Sequence, residues 1–144
     1  MWQDIEFAMR QAKCLLLFDM GAQRLRDIVQ RVLRQNSIEP VSLESEQTPG
    51  AAFVDQLFGL LRSSDFVIGD ISRKNANVIF ELGVAHGLGK PIVLLLSAKS
   101  DAAGIPSDLM GYQFLSYDPS DFSTFERRLN RVVASVASRL ERGQ

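Results

Sequence analysis

SDFVIGDISRKNANVIFELGVAHGLGKPIVLLL, running from Ser64 to Leu96, is the stretch from which the rest of the chain can be read. Phe66-Val67-Ile68 is an apolar run stopped by Gly69-Asp70, and Ser72-Arg73-Lys74-Asn75 is a polar loop. A helix-length segment from Asn77 to Leu88 follows, Gly89-Lys90-Pro91 ends it, and a second apolar run, Ile92 to Leu96, begins at once. Short apolar runs bounded by turn residues and separated by one helix describe a βαβ unit whose parallel strands are buried on both faces.

The helix carries the first functional signal. Asn75 or Asn77 can cap its start, because an Asx side chain accepts from an orphan N–H of the first turn. At about 100° per residue, Val78, Leu82, Ala85 and Leu88 share a face, and Glu81 points into that same face. A carboxylate on an apolar face is expensive to bury unless a partner meets it. Asp70 supplies a second carboxylate where the first of these strands ends. In an open α/β sheet, ligands bind in the crevice beyond the carboxyl ends of the strands. Two acids facing that crevice suit a polyhydroxylated ligand such as a ribose, by accepting from its hydroxyls or by attacking or stabilising an anomeric carbon. The plainer alternatives are that Asp70 caps the next turn and that Glu81 pairs with Arg73 or Lys74.

Outward from this unit, Trp2, Ile5, Met9 and Ala12 recur at helical spacing and predict an added amphipathic helix over about 2–12. Cys14 to Phe18 reads as the first strand, with Asp19-Met20-Gly21 as the loop at its carboxyl end. Ala22, Leu25, Ile28, Val29, Val32 and Leu33 set the following helix, leaving Arg24, Arg26, Arg31 and Arg34 on a solvated face. The Gly21 backbone, beside a helix N-terminus, can approach a phosphate. Pro40 to Leu43 reads as a second strand, placed at an edge by its proline. Glu44 to Gly50 is a polar loop overhanging the crevice, a lid or a plain solvated loop. Phe53, Leu57, Leu60 and Leu61 mark the next helix. Ser97 ends a strand and either contacts a ligand or turns the chain. A last strand is expected near Tyr112 to Tyr117, and Phe122, Phe125, Leu129, Val132, Val133, Val136 and Leu140 predict a long last helix, with Arg127, Arg128, Arg131 and Arg139 on its wet side. His86 lies five residues beyond Glu81, about 140° around the helix, so the two do not form a dyad.

A chain of 144 residues is one domain with room for a substantial core. Its 16 basic against 17 acidic residues argue against nucleic acid as a partner. The longest apolar runs are strand-sized, far below the ~20 residues of a spanning helix, so no membrane partner is expected. Met1-Trp2-Gln3-Asp4 lacks the form of a signal peptide, which points to a cytoplasmic location. One cysteine, Cys14, and one histidine exclude an internal disulfide and a Cys/His metal site. Cys14 reads as a buried small hydrophobe. Five strands alternating with helices predict a three-layer flavodoxin-like α/β sandwich, a single domain over 1–144, with a five-stranded parallel sheet in the order 2-1-3-4-5. The switch point between the first and third strands then brings the Phe18–Gly21 loop beside the Asp70–Asn77 loop.

NANVIFELGVAHGLGKPIVLL resembles the signature of the nucleoside 2-deoxyribosyltransferase-like group, and NVIFELG also resembles nucleotide-binding TIR-like domains; PSDLMGYQFLSYD is similar to the tail of the same family. The resemblance implies a flavodoxin-like, TIR-like layout. It also implies that the glutamate of the ELG element, here Glu81, is the residue of N-glycosidic chemistry. On this reading the chain binds a small nucleoside or nucleotide, with NAD a candidate substrate and no resident cofactor or metal. It cleaves or transfers at the N-glycosidic bond with Glu81 and Asp70 as the catalytic acids. Phe18, Asp19, Gly21, Ser72, Asn75, Asn77 and Ser97 are then the substrate-binding residues. The transferase pattern has a further aspartate shortly before the glutamate, where this chain has Asn75 and Asn77. That difference keeps open a domain that senses a nucleotide without chemistry and signals through a second copy or a tethered partner. A phosphate-binding receiver or flavin carrier ranks below both, since the first strand ends in one acid and no Ser/Thr-rich phosphate loop is present.

Overall fold

In the computed structural model of the chain, residues 10–43, 52–100, 109–112 and 114–143 are described. Five strands, β1 (Ala12–Leu17), β2 (Ile38–Val41), β3 (Phe66–Asp70), β4 (Ile92–Ser97) and β5 (Phe114–Tyr117), form one sheet in the order β2-β1-β3-β4-β5. Every pairing is parallel, with Leu17 beside Gly69 and Asp70 beside Leu95 at the carboxyl ends. The helices are α1 (Gln23–Gln35), α2 (Phe53–Ser63), α3 (Ala76–Gly87) and α4 (Phe122–Glu141), with a short 3₁₀ turn at Leu109–Gly111. The expected sandwich and strand order are both present, and β2 with its proline is an edge strand.

Boundaries moved where turn chemistry competed with pattern. β1 begins at Ala12, so the tail of the helix expected over 2–12 is strand, and residues 1–9 lie outside the described ones. β2 covers Ile38–Val41 and not Pro40 to Leu43, because Ser37 takes a positive φ of 59° and turns the chain directly into the strand. The last strand starts at Phe114, the 3₁₀ turn and Tyr112 preceding it. Leu88 falls outside α3 and is exposed, so the apolar face of that helix ends at Ala85. The expected loop over Glu44 to Gly50 lies outside the described residues.

Alternation along the strands sorts the core into two halves, since successive side chains of a strand point to opposite faces. Cys14, Leu16, Phe66 and Ile68 pack with Leu25, Val29 and Val32 of α1 and with Phe125, Leu129 and Val133 of α4. Leu15, Leu17, Val67 and Leu94 pack with Leu57 and Leu61 of α2 and with Val78, Leu82 and Ala85 of α3. Cys14 is fully buried, and burial holds its thiol well above the usual range, so it serves as a core residue.

Gly69 lets α3 approach the sheet. A Cβ at this position would lie 2.6 Å from Leu82 Cδ2, inside contact distance, and Leu82 is completely buried. Gly69→Ala is therefore expected to lower stability by about 1–3 kcal/mol through overpacking. Leu82→Ala alone is expected to cost about 2–5 kcal/mol. The double variant should lose clearly less than the sum, because truncating Leu82 removes the atoms that the new Cβ would meet. Urea titration of the four proteins tests this; additive losses would remove the contact as the reason for a glycine here.

Candidate functional site

The site forms where β1 and β3 end and the chain leaves in opposite directions, into α1 on one face and α3 on the other. α3 starts at Ala76 because the Asn75 Oδ1 accepts from the N–H of Asn77 at 2.9 Å and of Val78 at 3.4 Å. That cap orients the first turns of the helix, and with them Glu81, which is 7% exposed among Val78, Leu82 and Ala85. The other end of the same amide reaches across the switch point: Asn75 Nδ2 donates to Asp19 Oδ2 at 2.8 Å. Asp19 also accepts from the Gly21 N–H at 2.9 Å and faces Arg73 Nη1 at 3.4 Å. The Asn75 and Gly21 hydrogen bonds, helped by the charges of Arg73 and Arg26, hold the Asp19 carboxyl below its ordinary range.

Between these loops lies a cleft of about 220 Å³. Glu81, Asn75, Asn77 and Phe18 line it, whereas Asp19 and Gly21 do not. Arg26 lines it too, half-buried, although its place in the helical pattern put it on a solvated face. Its position explains this: it is the fourth residue of α1, at the end of the helix that abuts the strand termini. The first turn of such a helix is the signal that periodicity alone does not show. Met20, Leu43 and Phe53 contribute apolar wall, the last two from segments that border residues 44–51.

Asp70, Ser72 and Ser97 are not among the lining residues. Asp70 has the parity of Phe66 and Ile68, and so faces the α1/α4 side of the sheet, whereas α3 covers the other side. Its Oδ1 accepts from the Ser72 hydroxyl at 2.6 Å and from the Ser72 N–H at 3.2 Å, and its Oδ2 from the Tyr117 hydroxyl at 3.1 Å. Burial raises the Asp70 carboxyl above its ordinary range, with these hydrogen bonds opposing, and pushes Tyr117 up to about 12. Ser97 gives its N–H to Ser72 Oγ at 2.7 Å. Gly21 is exposed beneath the Arg73 guanidinium, and a Cβ there would lie 2.2 Å from Nη1. His86 is exposed and bonded at 2.6 Å to the Tyr112 hydroxyl. Among the described residues no cluster of His, Cys, Asp and Glu could hold a metal ion, and no helix is long and apolar enough to cross a membrane.

A family model described as "CAP12/Pycsar effector protein, TIR domain" matches residues 19–119. No curated protein matches the chain. Among solved structures, the TIR domain of the Toll-related receptor TRR-2 from Hydra magnipapillata is 19% identical over 83% of this chain and 96% of that one, with a TM-score of 0.65. The CMP N-glycosidase BcmB of Clostridium botulinum is 17% identical over 83% and 98%, with a TM-score of 0.64. A 2-deoxyribosyltransferase from Bacillus psychrosaccharolyticus is 20% identical over 79% and 96%, with a TM-score of 0.55. The resemblance read from NVIFELG thus holds at the level of fold for both groups it named.

The two shifted aspartates act with opposite sign on acid stability. Asp19, lowered in the folded state, contributes stability that is present above the unfolded value near 4 and is lost as pH falls through the folded value. Asp70, raised in the folded state, contributes stability that is full below about 4 and is lost as pH rises through its folded value. Between pH 7 and pH 3, Asp19→Asn is expected to flatten the acid loss of stability and Asp70→Asn to steepen it. Urea midpoints across that range check both directions, and equal slopes in all three proteins would refute them.

Proposed function

The chain belongs to the TIR-domain family of CAP12/Pycsar effector proteins, and on that premise we propose that it cleaves or transfers at the N-glycosidic bond of a nucleotide through Glu81. The observation that carries this reading is a buried carboxylate in the wall of a cleft that also presents two asparagine side chains and one guanidinium. Asn75 and Asn77 suit the hydroxyls of a ribose, Phe18 and Phe53 offer flat apolar surface to a base, and Arg26 suits a phosphate. Glu81 attacks the anomeric carbon or stabilises the oxocarbenium-like centre that develops there. The bond from that carbon to the base nitrogen breaks with its electron pair leaving on the base. Water or an acceptor hydroxyl or base then takes the sugar. NAD, nucleoside monophosphates and free nucleosides are the substrates to compare, with no resident cofactor.

A second reading is a domain that binds the nucleotide without cleaving it and signals through a second copy or a tethered partner. The observation in its favour is that Asp70, the second acid expected for catalysis, lies outside the cleft lining. The same experiment separates the two. Purified protein incubated with NAD and a panel of nucleotides and nucleosides is expected to release base. Glu81→Gln should lower that release at least about 100-fold, roughly 2.7 kcal/mol in the barrier, while retaining ligand binding. A variant within threefold of wild type would sink Glu81 as the reacting group, and saturable binding without any release would establish the sensing reading. Arg26→Gln is expected to raise KM for phosphate-bearing substrates about tenfold or more and to leave free nucleosides unchanged. An equal effect on both classes would count against a phosphate contact.

A further inference from the structure

Asp70, Ser72 and Tyr117 form a closed triangle of oxygen atoms under the aromatic cover of α4. Ser72 Oγ lies 2.6 Å from Asp70 Oδ1 and 2.9 Å from Tyr117 Oη, and Tyr117 Oη lies 3.1 Å from Asp70 Oδ2. Tyr117 stacks on Phe122 and tilts against Phe125, so aromatic rings back its corner of the triangle, while the Ser72 corner is half-buried. Proton counting gives the arrangement its logic. With Asp70 ionised, two hydroxyl protons serve three oxygen–oxygen contacts. With Asp70 neutral there are three protons, and every side is filled: Asp70 donates to Tyr117, Tyr117 to Ser72, and Ser72 back to Asp70. Ser72 Oγ keeps its second acceptor site for the Ser97 N–H, and Ser72 O accepts from the Ser100 hydroxyl at 3.0 Å. The loop after β3 is thereby tied to both β4 and β5.

That loop ends in Asn75, which lines the cleft. Two residues beyond Ser72, Lys74 holds a left-handed φ of 51°, a conformation that persists in a non-glycine residue only when its surroundings impose it. The next residue is Asn75, which caps α3 and holds Asp19. We propose that Asp70 is a positioning residue: the triangle it makes with Ser72 and Tyr117 fixes the β3–α3 loop, and Asp70 acts on a bound nucleotide only through Asn75 and the start of α3. A catalytic role for Asp70 is the competing outcome. The groups facing Asp70 are Ser72, Tyr117 and, at longer range, the Arg73 charge.

The test uses the full chain with Asp70→Asn, Asp70→Ala and Tyr117→Phe. Asparagine reproduces the neutral triangle, its amide donating to Tyr117 and its oxygen accepting from Ser72. Tyr117→Phe deletes one corner and leaves the ring packing in place. One arm is independent of any reaction: amide hydrogen exchange at Asn77, whose N–H donates to Asn75, and at Ser97, whose N–H donates to Ser72. Protection at both is expected to fall at least tenfold in Tyr117→Phe and Asp70→Ala and to stay at the wild-type level in Asp70→Asn. Unchanged protection at Asn77 in the two disrupting variants overturns the proposal. The second arm rests on the glycosidic reading above. There, Asp70→Ala and Tyr117→Phe should lower kcat/KM tenfold or more, while Asp70→Asn stays within threefold in both kcat and KM and keeps the acid limb of the pH–rate profile. A loss of 100-fold or more in a folded Asp70→Asn, with KM unchanged, would make the carboxylate itself catalytic. If wild type releases no base, the glycosidic reading falls and the exchange arm alone decides.

Discussion

A parallel sheet covered on both faces obliges each strand to alternate between two cores, and that alternation governs the rest of this molecule. It puts Val67 and Gly69 under α3, and Phe66, Ile68 and Asp70 on the opposite side under α4. Adjacent residues at the end of β3 therefore serve different layers. Gly69 admits a helix to close range, and Asp70 enters a polar triangle backed by aromatic rings. The two acidic residues that the sequence places eleven apart never share a surface. Proximity in sequence, and even a common strand terminus, does not bring two side chains to one surface when the pleat separates them.

The βαβ unit and the edge position of β2 could be read from apolar runs and their punctuation, because fully buried strands and a Gly-Lys-Pro helix stop are strong signals, while the strand order came from the doubly wound form that the family resemblance also implies. Glu81 could be read as well: a lone carboxylate on the Val78, Leu82 and Ala85 face is conspicuous whatever surrounds it. Asp70 was legible only in part. Parity would have assigned it to the α4 side, but the identity of its partners required knowing that Tyr117 of the last strand comes within reach at the same level of the sheet. Arg26 departs from its solvated-face expectation because a helical wheel gives angle and not depth, and an outward angle in the first turn opens onto the cleft mouth. Strand ends shifted by two residues where a positive φ at Ser37 or a 3₁₀ turn intervened, features of backbone geometry that side-chain hydrophobicity does not encode.

The cleft draws its character from unlike neighbours. One wall is apolar, from Phe18, Leu43 and Phe53, and into it project one buried acid and one half-buried base. Low-dielectric walls strengthen the field of both, so a ligand with a cationic or developing-cation centre at one end and an anion at the other would meet complementary charge twice. The Asn75 cap fixes the start of α3, and with it the place of Glu81 in that wall.

Asn75 uses its two ends for different elements, the oxygen on the backbone of α3 and the nitrogen on the carboxylate of Asp19. No other residue type of its length both accepts and donates in this way. An aspartate here would still cap the helix but would set two carboxylates against each other, so the carboxylate at position 19, and not the helix, is what asks for an amide at position 75.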